Sequence, residues 1–205
     1  MRCIYCAYPY TYILADQQRK CGKCKRKFSP KKIARRSLLF DLFEKGLHAR
    51  ETAKKTKMHM VTVQKYFDQF RKEIALESDE AYQHNAHRIT GYDEYLYLPK
   101  SLDAKKHITK LQHFLTLSYD DQVYNLMMPS IKRLGLDTND ADEYRLLEKY
   151  LKHNKISKLS KEQSTIRDFW EFFENFILKY KGISEERFIF YLKEAEWRFN
   201  HKLQS

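Results

Sequence analysis

Cys3-Ile4-Tyr5-Cys6 and, after fourteen residues, Cys21-Gly22-Lys23-Cys24-Lys25-Arg26-Lys27-Phe28-Ser29-Pro30 hold every cysteine of this 205-residue chain. A C-x2-C pair lets two thiolates reach one ion from a tight turn. Two such turns supply the four tetrahedral ligands that structural zinc prefers, so Cys3, Cys6, Cys21 and Cys24 predict one structural Zn2+ in a zinc ribbon. A four-thiolate site is closed, and its metal holds the fold rather than doing chemistry. Tyr10-Thr11-Tyr12-Ile13-Leu14 reads as a strand, and Gly22 within the second knuckle predicts a positive φ there. Two disulfides are the competing reading; the paired spacing and an intracellular setting favour the metal.

Working outward, Lys25, Arg26, Lys27, Lys31, Lys32, Arg35 and Arg36 crowd the second knuckle and its tail, as phosphate contacts would. Residues 1–75 carry 19 Lys and Arg against 6 Asp and Glu, whereas residues 76–205 carry 20 against 21. A basic segment joined to a neutral one predicts that one end holds a polyanion, with nucleic acid favoured over a merely solvated basic face. With 42% apolar and 15% aromatic residues the chain can build a packed core, which excludes global disorder. No stretch approaches the roughly 18 apolar residues of a membrane span, and MRCIYC lacks the apolar region of a secretory signal. The expectation is an intracellular protein with no membrane partner.

From Ser37 the pattern turns helical, with Leu38, Leu39, Leu42 and Phe43 on one face and Gly46 as terminator. Residues 49–56 predict a short helix with small Ala53 at a close approach, and Lys57-Met58-His59 a turn. A third helix follows from about Val61 to Ala75 on the stripe Val63, Tyr66, Phe67, Phe70 and Ile74. The order is that of a helix-turn-helix. In that motif the start of the last helix enters the major groove, which nominates His59, Thr62, Gln64 and Lys65 for base contacts.

Residues 77–88 read as a linker or the end of a continuing helix. Beyond Ile89, Tyr95–Leu98 reads as a strand, and Phe114–Leu117 and Val123–Met127 flank Tyr119-Asp120-Asp121-Gln122 as a hairpin would. Leu146–Lys152 is a helix candidate. Two longer helices close the chain, Thr165–Lys181 stopped by Gly182, and Ser184–His201 with Phe188, Tyr191, Leu192, Ala195 and Phe199 on one face. Trp170 and Trp197 read as core. The fold class is α+β multidomain: ribbon 1–32, helix-turn-helix 33–76, linker 77–88 and a second domain 89–205.

The basic ribbon tail Cys24–Pro30, Tyr92-Asp93-Glu94-Tyr95, Ile166-Arg167-Asp168-Phe169-Trp170 and Leu192-Lys193-Glu194-Ala195-Glu196-Trp197-Arg198-Phe199-Asn200 appear in an order that resembles bacterial insertion-sequence transposases. The type meant has an N-terminal zinc ribbon and an RNase H-like nuclease domain of the DDE class. The resemblance implies that 89–205 is a shortened RNase H-like α/β remnant, and that Asp93 stands where the family's first catalytic carboxylate does. Its second Asp has only Asp137, Asp140 and Asp142 to match it, and the position of its catalytic Glu is Arg167, which cannot ligate Mg2+. Asp168 and Glu171 lack the matching offset. The expected function is sequence-specific DNA binding without nuclease activity. The alternatives are a Mg2+-dependent transposase with a non-standard acidic set, and an oligomerising or partner-binding protein, since transposases commonly work as multimers.

Overall fold

The computed structural model describes residues 1–99, 102, 107, 110–129, 145 and 165–203. Asp137, Asp140, Asp142 and the Leu146–Lys152 helix candidate lie outside them. The described residues form five α-helices and two three-stranded antiparallel sheets, a mixed α+β architecture. The chain divides into two compact units, Met1–Phe67 and Asp68–Ser205.

The first unit opens with β1 (Thr11–Ile13), β2 (Arg19–Cys21) and β3 (Lys27–Phe28), paired in that order. Its small core is Cys3, Cys21 and Phe28, with Tyr8, Cys24 and Ile33 packed around them. Helix α1 (Pro30–Glu44) starts seven residues before the apolar pattern does. The cause is local: the Ser29 hydroxyl accepts the Lys32 N–H at 3.4 Å, and Pro30 takes the first turn, where its missing N–H costs nothing. Gly46 ends the helix as expected, with φ 75° and its N–H on the Phe43 carbonyl. Helix α2 (Ala49–Thr56) follows, its Glu51 carboxylate accepting the His48 N–H at 3.3 Å. Lys57, at φ 55°, opens the turn 57–59. Helix α3 (Met60–Asn85) then runs ten residues past the expected end, so of the two readings of residues 77–88, linker or end of a continuing helix, the second holds through residue 85, with a 3-10 turn at Ala86–Arg88. Leu39, Leu42, Phe43, Ala53, Val63 and Phe67 are buried, and the Phe43 and Phe67 rings meet edge to face at 5.0 Å.

In the second unit β4 (Gly91–Tyr97), β5 (Gln112–Tyr119) and β6 (Gln122–Met127) form a meander. Asp120 and Asp121 make the predicted two-residue turn, both at positive φ, the twist that a tight hairpin needs. One sheet face contributes Tyr95, Phe114 and Val123 to a core with α4 (Thr165–Ile177) and α5 (Glu185–Asn200), dominated by Phe169, Trp170, Phe173, Phe176 and Phe188. The other face holds Leu117, Tyr119 and Tyr124, with Tyr82 of α3 stacked on Tyr124 at 4.0 Å. Helix α4 ends at Ile177, four residues before the expected Lys181; the Lys179 and Tyr180 N–H groups turn to carbonyls three residues back, and Gly182 follows at φ 70°. Trp170 is core, but Trp197 is only half-buried, its ring beside His201.

Helix α5 buries charge as well as apolar surface. Lys193, Glu194, Glu196 and Arg198 are each at most 3% exposed. Glu194 accepts Arg71 Nε at 2.7 Å and Arg198 Nε at 3.0 Å, and the Arg71 guanidinium lies 4.2 Å over the Tyr191 ring. Glu196 accepts the Asn125 backbone N–H at 2.7 Å, Asn125 Nδ2 at 2.9 Å, Lys193 Nζ and the Ser78 hydroxyl. Asn200 meets the backbone of Val123 twice, accepting its N–H and donating to its carbonyl, both at 2.9 Å. Among the described residues only Thr52 Oγ1 is a buried side-chain polar atom without a partner. Complete satisfaction is what makes a buried polar network tolerable. Removing one charge from it leaves another stranded, so Glu194→Met, which takes the shared carboxylate from both Arg71 and Arg198, should lower stability by about 3–5 kcal/mol in urea unfolding, and the triple variant Arg71→Met/Glu194→Met/Arg198→Met by distinctly less.

Candidate metal centre and nucleic-acid interface

The two cysteine turns are near copies of one another. The N–H of the first cysteine in each reaches the carbonyl five residues on, Cys3 to Tyr8 at 2.9 Å and Cys21 to Arg26 at 3.0 Å. The residue after the second cysteine takes the left-handed conformation, Ala7 at φ 56° and Lys25 at φ 60°. This corrects the expectation for Gly22, which is not at positive φ; the chain reverses at Lys25, after the metal-facing turn is complete. A Cβ at 22 would meet the Tyr8 ring, the Tyr12 ring and the Tyr10 carbonyl at 3.4 Å, ordinary van der Waals contact, so neither φ nor space demands glycine there.

The four ligand atoms of Cys3, Cys6, Cys21 and Cys24 lie within 4.8 Å of one another. Contacts run across the turns, Cys3 to Cys24 at 3.7 Å and Cys6 to Cys21 at 3.6 Å. No disulfide is formed, since that bond would be about 2.05 Å. A tetrahedral ion with metal–sulfur bonds of about 2.3 Å needs sulfurs about 3.8 Å apart, so the cluster can hold one such ion. Backbone N–H groups point at the sulfurs, Tyr5 to Cys3 at 3.4 Å and Lys23 and Cys24 to Cys21 at 3.3 and 3.4 Å. Burial raises the Cys21 thiol, but these N–H groups and the Cys3 and Cys24 thiols outweigh it and bring it down to about 6. Cys24 moves up to about 11: the Arg26 N–H favours its thiolate, yet burial and the sulfurs of Cys21, Cys3 and Cys6 prevail. Thiols this close cannot all ionise against one another, and a divalent cation at their centre removes that conflict.

The eleven residues expected to touch DNA all lie in the first unit. Lys25, Arg26, Lys27, Lys31, Lys32, Arg35 and Arg36 are exposed, and Arg26 rests 5.2 Å over the Tyr5 ring. Gln64 and Lys65 are exposed on the second turn of α3, and Thr62 is half-buried. His59 is exposed but has a structural task, its Nδ1 accepting the Val61 N–H at 3.3 Å at the start of α3. Met60 and Val61, 41% and 49% exposed, sit beside these polar groups and went unnoticed in the sequence. Their signal was phase: both fall outside the stripe of Val63, Phe67 and Phe70.

Asp93 lies in the second unit, on β4 opposite Thr116, exposed, with Oδ1 accepting the Glu94 N–H at 2.8 Å. Among the described residues it belongs to no group of three side chains that could share a metal. Asp168 and Glu171 are exposed on α4, and Arg167 is half-buried. No helix among the described residues is long and apolar enough to cross a membrane. Comparison of the chain with protein-family models, curated proteins and solved structures gives no match.

Metal binding here releases thiol protons, so protons compete with it and retention falls as pH falls. The expected result is about one metal per chain at neutral pH, progressive loss on acidification, and loss of the β1–β3 fold in strong chelator, read by elemental analysis and circular dichroism. Cys21→Ser should lose the metal with the second unit still folded.

Proposed function

We propose that the chain is a zinc-stabilised, sequence-specific double-stranded-DNA-binding protein of transposase-like descent, working at the bacterial nucleoid. The single observation that carries the reading is the first turns of α3, where exposed Gln64, Lys65, Met60 and Val61 stand in one compact unit with exposed Lys31, Lys32, Arg35 and Arg36. On this reading the cysteine cluster holds Zn2+ and β1–β3 are a zinc ribbon, with α1–α3 as the helix-turn-helix. Gln64 pairs with adenine, Lys65 with guanine, and the apolar pair meets thymine methyl groups. His59 fixes the start of α3 more than it reads bases. The lysines and arginines of α1 and the ribbon tail position the protein on phosphates and carry no sequence information.

In the second unit, two of the segments that carry the resemblance to transposases meet across the sheet. Trp170 Nε1 donates to Thr116 Oγ1 at 2.9 Å, Thr116 donates to Asn125 Oδ1 at 2.7 Å, and Asn125 donates to Glu196. Trp170 and the α5 motif are thereby tied through the sheet. Asp93 stands apart from that chain of bonds, and the proposal assigns it no metal-dependent step.

Binding to a selected duplex, measured by anisotropy over a range of salt, tests the reading. Gln64→Ala and Lys65→Ala should flatten sequence preference by about 1–3 kcal/mol at the affected base pair. Lys31→Ala should weaken all duplexes alike and reduce the slope of log affinity on log salt by about one. Affinity indifferent to salt would sink the proposal.

A further inference from the structure

The outer face of the β1–β3 sheet is unlike its inner face. Directly opposed residues share a face, and here Tyr12 opposes Lys20, which opposes Lys27. The Gly22 N–H meets the Tyr10 carbonyl at 3.1 Å, carrying the pairing one step further, and the Tyr8 and Tyr12 rings lie over Gly22. Tyr8 and Tyr10 pack edge to face at 5.8 Å. Inside, Cys21 and Phe28 are at most 5% exposed; outside, Tyr10 and Tyr12 are 68% and 63% exposed. These rings therefore add little to the core, and they stand among cations: residues 1–40 hold eleven Lys and Arg against the single acid Asp16.

We propose that this tyrosine face is a binding site for unpaired nucleobases of a single nucleic-acid strand. Exposed rings offer stacking surfaces to any base, and Lys20 and Lys27 in the same row sit where the connecting phosphates would run. A duplex cannot use the site fully, because its bases already stack on one another. The site is thus separate from the duplex reading at α3 and does not depend on it. An acidic polypeptide would engage the lysines but gain little from the flat tyrosine faces, so charge and ring chemistry together select a nucleic-acid strand.

The test uses the full, metal-loaded chain with a labelled oligothymidylate of about 12 nucleotides, within the usual span of such sites, and a labelled duplex in parallel. The double variant Tyr10→Ala/Tyr12→Ala should weaken oligothymidylate binding by about tenfold to a hundredfold and leave duplex binding and metal content unchanged. Tyr12→Phe, which keeps the ring, should bind the oligonucleotide as the native chain does. Lys20→Ala should lower its salt dependence. The inference is overturned if the double variant binds oligothymidylate normally, if it loses duplex and oligonucleotide alike, or if polyglutamate displaces the oligonucleotide at equal charge. A native chain that binds duplex but no oligothymidylate overturns this inference alone; one that binds neither overturns the duplex reading as well.

Discussion

Negative charge taken out of water must be neutralised where it is buried, and both units of this chain are organised around that requirement. In the first, four sulfurs converge within 4.8 Å. The strands β1–β3 and their two turns have only Cys3, Cys21 and Phe28 buried in their own cluster, little apolar surface with which to hold them together. A cation among these sulfurs, which they are placed to hold, would both offset the repulsion of their thiolates and tie the two turns together. In the second, Glu194 and Glu196 are almost fully enclosed and are answered by Arg71, Arg198 and Lys193. Burial pushes the Glu196 carboxyl up and the Lys193 ammonium down, each towards its neutral form, while their mutual attraction opposes both shifts. Geometry therefore decides: with Asn125 and Ser78 also donating, the carboxylate has a full set of partners.

Local chemistry was legible in the sequence wherever a single residue type dictates a backbone state or a ligand. Cysteine spacing announced the cluster, Gly46 the end of α1, and Asp120-Asp121 the hairpin turn. The start of α1 was equally local, in Ser29-Pro30, but a reading led by apolar periodicity passes over a cap. What the sequence concealed depends on distant partners. Lys193 with Glu196 and Glu194 with Arg198 have the spacing of exposed helical ion pairs, and nothing in α5 itself says that Arg71, 123 residues earlier, closes over them. The length of α3 was hidden for a related reason: residues 77–85 are polar, yet Ser78, Asp79 and Tyr82 each find a partner on α5 or β6.

The candidate site divides along the same line. Exposed cations and the α3 positions follow from composition and helical phase. The capping role of His59 and the outward tyrosine face are not legible there, because each depends on which way a short turn or strand presents its side chains.

Asn200 and Glu196, one helical turn apart, between them answer the outward backbone groups of Val123 and Asn125, doing for β6 what a further strand would do. An open strand edge is a template on which other chains assemble. Helix α5 is thus a guard against self-association along that border, and its fraying would expose a sticky edge before the aromatic core itself was lost.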